Sequence, residues 1–240
     1  FARLSLPLWR FCLREHPASP HPVQQSLRLW YSGDSLPILT MLRQRRFWTI
    51  GIAFFLIAAA ISGLITNFVP LLIERNFGVT TAASIASAIG TSVIAGRLVT
   101  GYLLDKFWAP GIAFAFLSAP IVACLVLLSE TLSAPLAIGA AGLIGFAAGA
   151  ELDLMSYLVG RYFSLDHYGK YYGSIFAFFA LGSGFAPAGF AALQETSGSF
   201  GIALSAAAAM ILVGSSMMLT LGPYRRSERN EVDTTDERSL

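Results

Sequence analysis

Three charges interrupt the apolar stretch "GRLVTGYLLDKF", Gly96 to Phe107: Arg97, Asp105 and Lys106. A guanidinium holds a carboxylate through two parallel hydrogen bonds, so Arg97 is a candidate ligand for an organic anion. Its competing use is as an anchor whose charged head stretches to an aqueous interface. Asp105 and Lys106 read as a latch, with the acid capping a neighbouring helix N-terminus and the lysine pairing with an acid, or else as a solvated pair. Two further acids, Glu151 and Asp153, lie two positions apart, which sends them to opposite sides of a helix. They cannot act as paired carboxylates in acid–base catalysis. They read as ion-pair partners near one helix end, or as carriers of a proton.

Other chemistries fail on composition. Ser183 sits in "GSG", yet a serine nucleophile needs a base, and the only histidines are His16, His21 and His167, all outside apolar stretches. A zinc site wants four ligands, or three and a water, and His16 and His21 around "HPASPHP" supply two. Cys12 and Cys124 make no disulfide framework. "GAAGLIGFAAG" is not a dinucleotide loop, because no strand precedes it. The sequence implies no enzyme and no cofactor.

The elements that must position these residues are plain. The chain is 55% hydrophobic and 12% charged, about half the charged fraction of a soluble domain. Uncharged runs cover Phe47–Ile73, Asn76–Gly96, Phe107–Ser129, Thr131–Ala150, Tyr171–Gln194 and Thr196–Tyr224. Each suffices for a helix crossing roughly 30 Å of hydrocarbon, and none alternates as a barrel strand would. The fold class is therefore an all-α integral membrane protein with six transmembrane helices spanning 47–224. Residues 1–46 form a cytoplasmic segment and 225–240 a charged, disordered cytoplasmic tail. "FARLSLPLWRFCLRE" reads as the end of an earlier helix or as an amphipathic surface segment. "HPASPHP" is a linker, and "SLPILTMLRQRRFW" a short surface helix.

With both termini cytoplasmic, fifteen of the sixteen lysines and arginines fall inside and only Arg75 outside, a strong positive-inside bias. The basic residues thus mark a membrane face, and no nucleic-acid footprint is present. Arg97 precedes Asp105 by eight residues, roughly 12 Å along a helix. If Asp105 marks the cytoplasmic surface, Arg97 lies within the bilayer, where an ionisable group is a functional-site hypothesis by default.

Small residues let membrane helices approach closely. The second span offers Ala82, Ala86 and Gly90, continued by Arg97 and Gly101. The fourth offers Gly142, Gly145 and Gly149, continued by Asp153 and Tyr157. The fifth offers Ala180, Gly184, Ala188 and Ala192. The charged faces of the second and fourth spans are expected to touch protein or a cavity, and the uncharged third and sixth to face lipid. Pro187, beside Gly182, Gly184 and Gly189, reads as a gating bend or as static close packing.

"GRLVTGYLLDKF" resembles the major facilitator superfamily, which repeats G-x-x-x-D-[RK] in the cytoplasmic turn after the second helix of each half. Gly101, Asp105 and Lys106 fill the pattern; the basic residues usual downstream are replaced by Trp108 to Pro110. "NFVPLLIERNFG" (Asn67–Gly78), "GAELDLMSYLVGRYFSLDHYGKYYG" (Gly149–Gly173) and "LGSGFAPAGFAALQETSGSF" (Leu181–Phe200) resemble the C-terminal half of its bacterial monocarboxylate porter and oxalate–formate antiporter branch. The resemblance implies six helices forming one half of a major-facilitator-type fold, in an inner membrane and beside an N-terminal six-helix half. It implies secondary transport of a small organic anion, a monocarboxylate above all, by symport or antiport.

In that branch an arginine in a small-Arg-x-x-x-Gly pattern binds the substrate carboxylate, and Gly96-Arg97 to Gly101 fits. Asn67 and Tyr157 are taken as companion ligands. Gly101, Asp105, Lys106, Glu151, Asp153, Arg161, Gly184 and Pro187 are taken as gating or structural residues. The lysine that the dicarboxylate antiporter uses in its eleventh helix has no counterpart between Tyr171 and Gln194, and one cation suits one carboxylate. Val93 stands where some porters carry an acid, which leaves a coupling proton open. A neutral solute or drug is the alternative substrate, and a non-transporting membrane half that needs a partner is the alternative class.

Overall fold

The computed structural model describes residues 38–222 apart from Glu130. The N-terminal segment and linker up to residue 37, with Cys12, His16 and His21, and the tail 225–240 lie outside the described residues. Within them the chain forms a short helix α1 (Ile38–Leu42), then α2 (Arg45–Glu74), α3 (Val79–Leu104), α4 (Ala109–Leu128) and α5 (Ala134–Tyr162). A 3-10 turn (Leu165–His167) leads into α6 (Tyr168–Ser197) and α7 (Phe200–Leu219). Six of these helices, α2 to α7, are long and apolar enough to cross a membrane. No described residue is in a strand.

Local chemistry sets the boundaries. Pro110 and Pro135 stand in the first turns of α4 and α5, where a missing N–H costs nothing. Gly198 ends α6 at φ 72°, the left-handed cap that glycine adopts without a Cβ penalty. The Ser199 hydroxyl then accepts from the Gly201 amide and opens α7. The helices outrun the uncharged stretches: α3 continues past Arg97 to Leu104, and α5 past Glu151 and Asp153 to Tyr162. A helix satisfies its own backbone, so a charge in it costs only the side chain's desolvation.

Non-neighbours in sequence pair most closely. α2 packs against α6 and α7, α3 against α5, and α4 against α5 and α7. α2 is the most covered of the six spans, burying residues from Phe47 to Leu72 while Trp48, Ile52, Ile65 and Pro70 stay exposed. It runs parallel to α6 in a fixed register. Gln44 donates to the Tyr171 hydroxyl 127 positions on, and the same offset sets Gly51 on the Phe178 ring, Phe55 on Gly182 and Gly63 on Phe190. A Cβ on Gly182 would lie 2.4 Å from the Phe55 carbonyl oxygen. Arg75, the lone basic residue assigned outside, donates to the Ser129 and Leu127 carbonyls at 2.9 Å each. It thereby closes the C-terminal end of α4.

The glycine face expected on the fourth span is formed. Gly145 and Gly149 of α5 meet the backbone of Ile89 and Val93, where a Cβ would stand 2.3 and 2.1 Å from carbonyl oxygens. From α3, Gly96 meets the Phe146 carbonyl in return, at 2.2 Å. The face expected on the second span is not the packed one. α3 buries Ala82, Ile85, Ile89, Gly96, Thr100 and Leu104, while Gly90 and Gly101 have nothing within 4 Å of a Cβ position. The helix is turned by one residue from that expectation, because Gly96 admits the α5 backbone and its apolar neighbours fill the groove beside it. The α6 stripe Ala180, Gly184, Ala188 and Ala192 is likewise exposed.

The third and sixth spans, expected to face lipid, are α4 and α7. In their most apolar stretches 39% of α4 and of α7 is buried, against 22% of α3 and 17% of α6. The two helices richest in small and polar residues on their outer faces are the least covered by the rest of the bundle.

Candidate functional site

Arg97 lies seven residues before the end of α3, roughly 10 Å from that end at 1.5 Å per residue. It is exposed, and it makes no hydrogen bond or ion pair with any described residue. Gly90, Ile94, Leu98 and Gly101 are exposed with it. Gly96 and Thr100, one residue before and three after, are both buried, so Arg97 stands at the border of the packed side. The guanidinium therefore projects from a rigid, closely seated helix onto a face that this bundle leaves bare. This face was expected to touch protein or a cavity, and no described helix covers it.

The three expected substrate ligands are not brought together. Asn67 lies seven residues before the far end of α2, so it and Arg97 sit toward opposite ends of the bundle. Its amide donates to the Gly63 carbonyl of its own helix at 2.9 Å. Tyr157 lies five residues from the end of α5, at a depth similar to Arg97. Its hydroxyl accepts from Arg161 at 2.9 Å, and the guanidinium stands 5.0 Å from its ring centroid. Both companions are engaged within their own helices, whereas Arg97 is not.

The turn after α3 differs from a closed latch. Asp105 is the exposed C-cap of α3, and α4 begins at Trp108 without a side-chain cap. Lys106 donates to the Tyr102 hydroxyl one turn back and stacks 4.2 Å from its ring centroid, so its partner is an aromatic ring. Gly184 is open, with nothing within 4 Å of a Cβ position, and Pro187 is half-buried within a continuous α6.

Glu151 corrects the expectation of an ion pair. It shares a three- and four-residue spacing with Ala140, Ile144, Ala147, Leu154 and Leu158, each at most 2% exposed. Glu151 itself is 4% exposed, and its Oε1 has no hydrogen-bond partner among the described residues. Asp153 is half-buried on the roughly opposite face and also makes no ion pair among the described residues. The apolar heptad around Glu151 was the signal in the sequence that placed it in the core. The reading by charge alone missed it. Thr100 is the second buried side chain with an unpartnered oxygen, and no group of three metal-ligating side chains occurs among the described residues.

Known proteins agree with this architecture. The model of the Major Facilitator Superfamily matches residues 4–187. YhjX of Escherichia coli (strain K12), an uncharacterized MFS-type transporter, is 28% identical over 145 residues. That is 59% of this chain and 36% of YhjX, so the chain spans about a third of that relative's length. A crystal structure of the E. coli fucose:proton symporter FucP superposes with a TM-score of 0.65 at 14% identity. The match covers 80% of this chain and 46% of FucP, and so carries the fold. With the family match extending over most of its length and six apolar spans in the matching architecture, the chain belongs to the Major Facilitator Superfamily.

Proposed function

We propose that this chain is the C-terminal six-helix half of a secondary transporter, and that it moves a small organic anion, a monocarboxylate, by alternating access. Arg97 carries this reading. It is an unpaired guanidinium within the apolar region, on the face of the bundle that is left bare. Transporters of this architecture bind substrate near the midplane between two halves, which rock around the site. The exposed small-residue faces of α3 and α6 suit close contact with a second half. The match to under half of FucP and about a third of YhjX accords with a second half elsewhere.

Asp105, bound to no described residue, is placed to meet that half at the cytoplasmic end, with Gly101 and Lys106 shaping the turn. Glu151 is the acid of this half best placed to carry a coupling proton. FucP is named for a neutral sugar, but a neutral substrate would leave Arg97 without an anion to meet, so the carboxylate reading is preferred.

Uptake by the full-length protein in proteoliposomes tests it. Labelled monocarboxylates are expected to enter saturably, with dicarboxylates and neutral sugars competing poorly. Competition by sugars and none by carboxylates would establish the neutral-solute reading instead. Orientation is tested separately. In a background without the native cysteines, a cysteine at Lys106 is expected to label from the cytoplasmic side of a sealed inner membrane and one at Thr131 from the outer side. Labelling of both from one side would exclude the six-span topology with cytoplasmic termini.

A further inference from the structure

Pro187 has no N–H, so the carbonyl four residues earlier, that of Ser183, loses its helical donor. In this structure the Ser62 hydroxyl of α2 donates to that carbonyl, at 2.9 Å and 121 positions away. Two other prolines stand inside helices, Pro70 in α2 and Pro120 in α4. The carbonyls they deprive, on Thr66 and Phe116, receive no side-chain donor among the described residues. The replacement at Ser183 is thus specific to the α2–α6 seam. That seam is tight on both sides of it: Gly182 lies against the Phe55 backbone before the proline and Gly63 under the Phe190 ring after it. On the outer side, Gly184 and Gly189 have nothing within 4 Å of a Cβ position. α6 is therefore clamped to α2 along the face of Gly182 and Phe190, while the face that carries Gly184 and Gly189 is bare.

We propose that Ser62 is a positioning residue. It supplies the hydrogen bond that Pro187 denies to Ser183, holds α6 closed onto α2, and sets where α6 bends when the bond is released. The part of this that concerns the transport cycle rests on the reading above; the hydrogen bond and its effect on α6 do not. A carbonyl left unpaired in the closed helix favours its opened state by the free energy of the lost bond. For a net bond of average strength that is roughly a two- to tenfold shift in the equilibrium.

The test is amide hydrogen exchange of the full-length protein in detergent, read over peptides covering 180–190, without substrate. Ser62→Ala is expected to speed exchange there roughly two- to tenfold while other helices stay as in the wild type. Ser62→Thr keeps the donor and is expected to restore slow exchange. Pro187→Ala returns an N–H to the helix, so in that background Ser62→Ala is expected to change little. The last comparison separates this role from generic packing, since a lost packing contact would not be cancelled by an amide on the other helix. Unchanged exchange in Ser62→Ala, or the same acceleration with and without Pro187, would overturn the proposal. Absence of uptake by the wild-type protein would strike the transport reading and leave this result standing.

Discussion

Gly149→Ala is expected to destabilise the bundle by about 3 kcal/mol or more, the upper end for overpacking a filled core. The added Cβ would stand 2.1 Å from the Val93 carbonyl oxygen. That atom belongs to the backbone of a helix and cannot rotate away, so α3 and α5 must separate. Separation also loosens Gly145 on Ile89 and Gly96 on Phe146, because all three contacts share one seam. In a bilayer no hydrophobic force compensates, since association of helices rests on packing itself. Gly90→Ala and Gly101→Ala are the controls. Both lie in α3 with open space around them, and loss of helical glycine is worth up to about 1 kcal/mol in stability. They are expected to be neutral or mildly stabilising. Thermal unfolding in detergent measures all three, and equal midpoints for Gly149→Ala and Gly90→Ala would contradict the seam.

Arg97→Gln is expected to weaken carboxylate binding by about 2–5 kcal/mol, tens- to thousands-fold in affinity, because no cation remains to offset desolvation of the anion. Arg97→Lys keeps the charge but loses the planar fork, and is expected to fall between Gln and the wild type. An arginine that only anchors its helix predicts a different order. Lysine snorkels as arginine does, so Arg97→Lys would be silent and Arg97→Gln would act only through the amount of protein in the membrane. Affinity and membrane abundance, measured together for the full-length protein and both variants, separate the two. Wild-type affinity in Arg97→Lys would remove Arg97 from the site, and the organic-anion reading with it.

How much of this was legible beforehand follows from what a one-dimensional pattern contains. The six spans were, since uncharged runs of membrane length leave few alternatives. So was the α5 face of Gly145 and Gly149, where three glycines recur within eight residues. The packed face of α3 was not. In a helix of small and apolar residues, Ser84, Ser87 and Thr91 mark the outside only in the first half, and Gly90, Gly96 and Gly101 look equivalent. Only the fit to Phe146 selects Gly96. Of the site, Arg97 stood out by charge and depth. Its isolation could not be read, because it depends on which side of α3 meets α5. Ser62 was invisible for a related reason: its partner is a carbonyl 121 positions away, exposed by a proline on another helix.

The pairing of α2 with α6 and of α3 with α5 also has a consequence for how the chain is made. Synthesis delivers helices in order, and parts that can fold first do so. Here α3 leaves the ribosome while α5 is unwritten, and α2 waits longer still, until α6 appears. Neither seam can close early, so the nascent bundle spends most of its synthesis with the bare flanks of α2 and α3 turned to lipid or to an insertase. Premature termination before α5 would leave both main seams open, and termination between α5 and α6 would leave quality control a product whose α2 seam is still open.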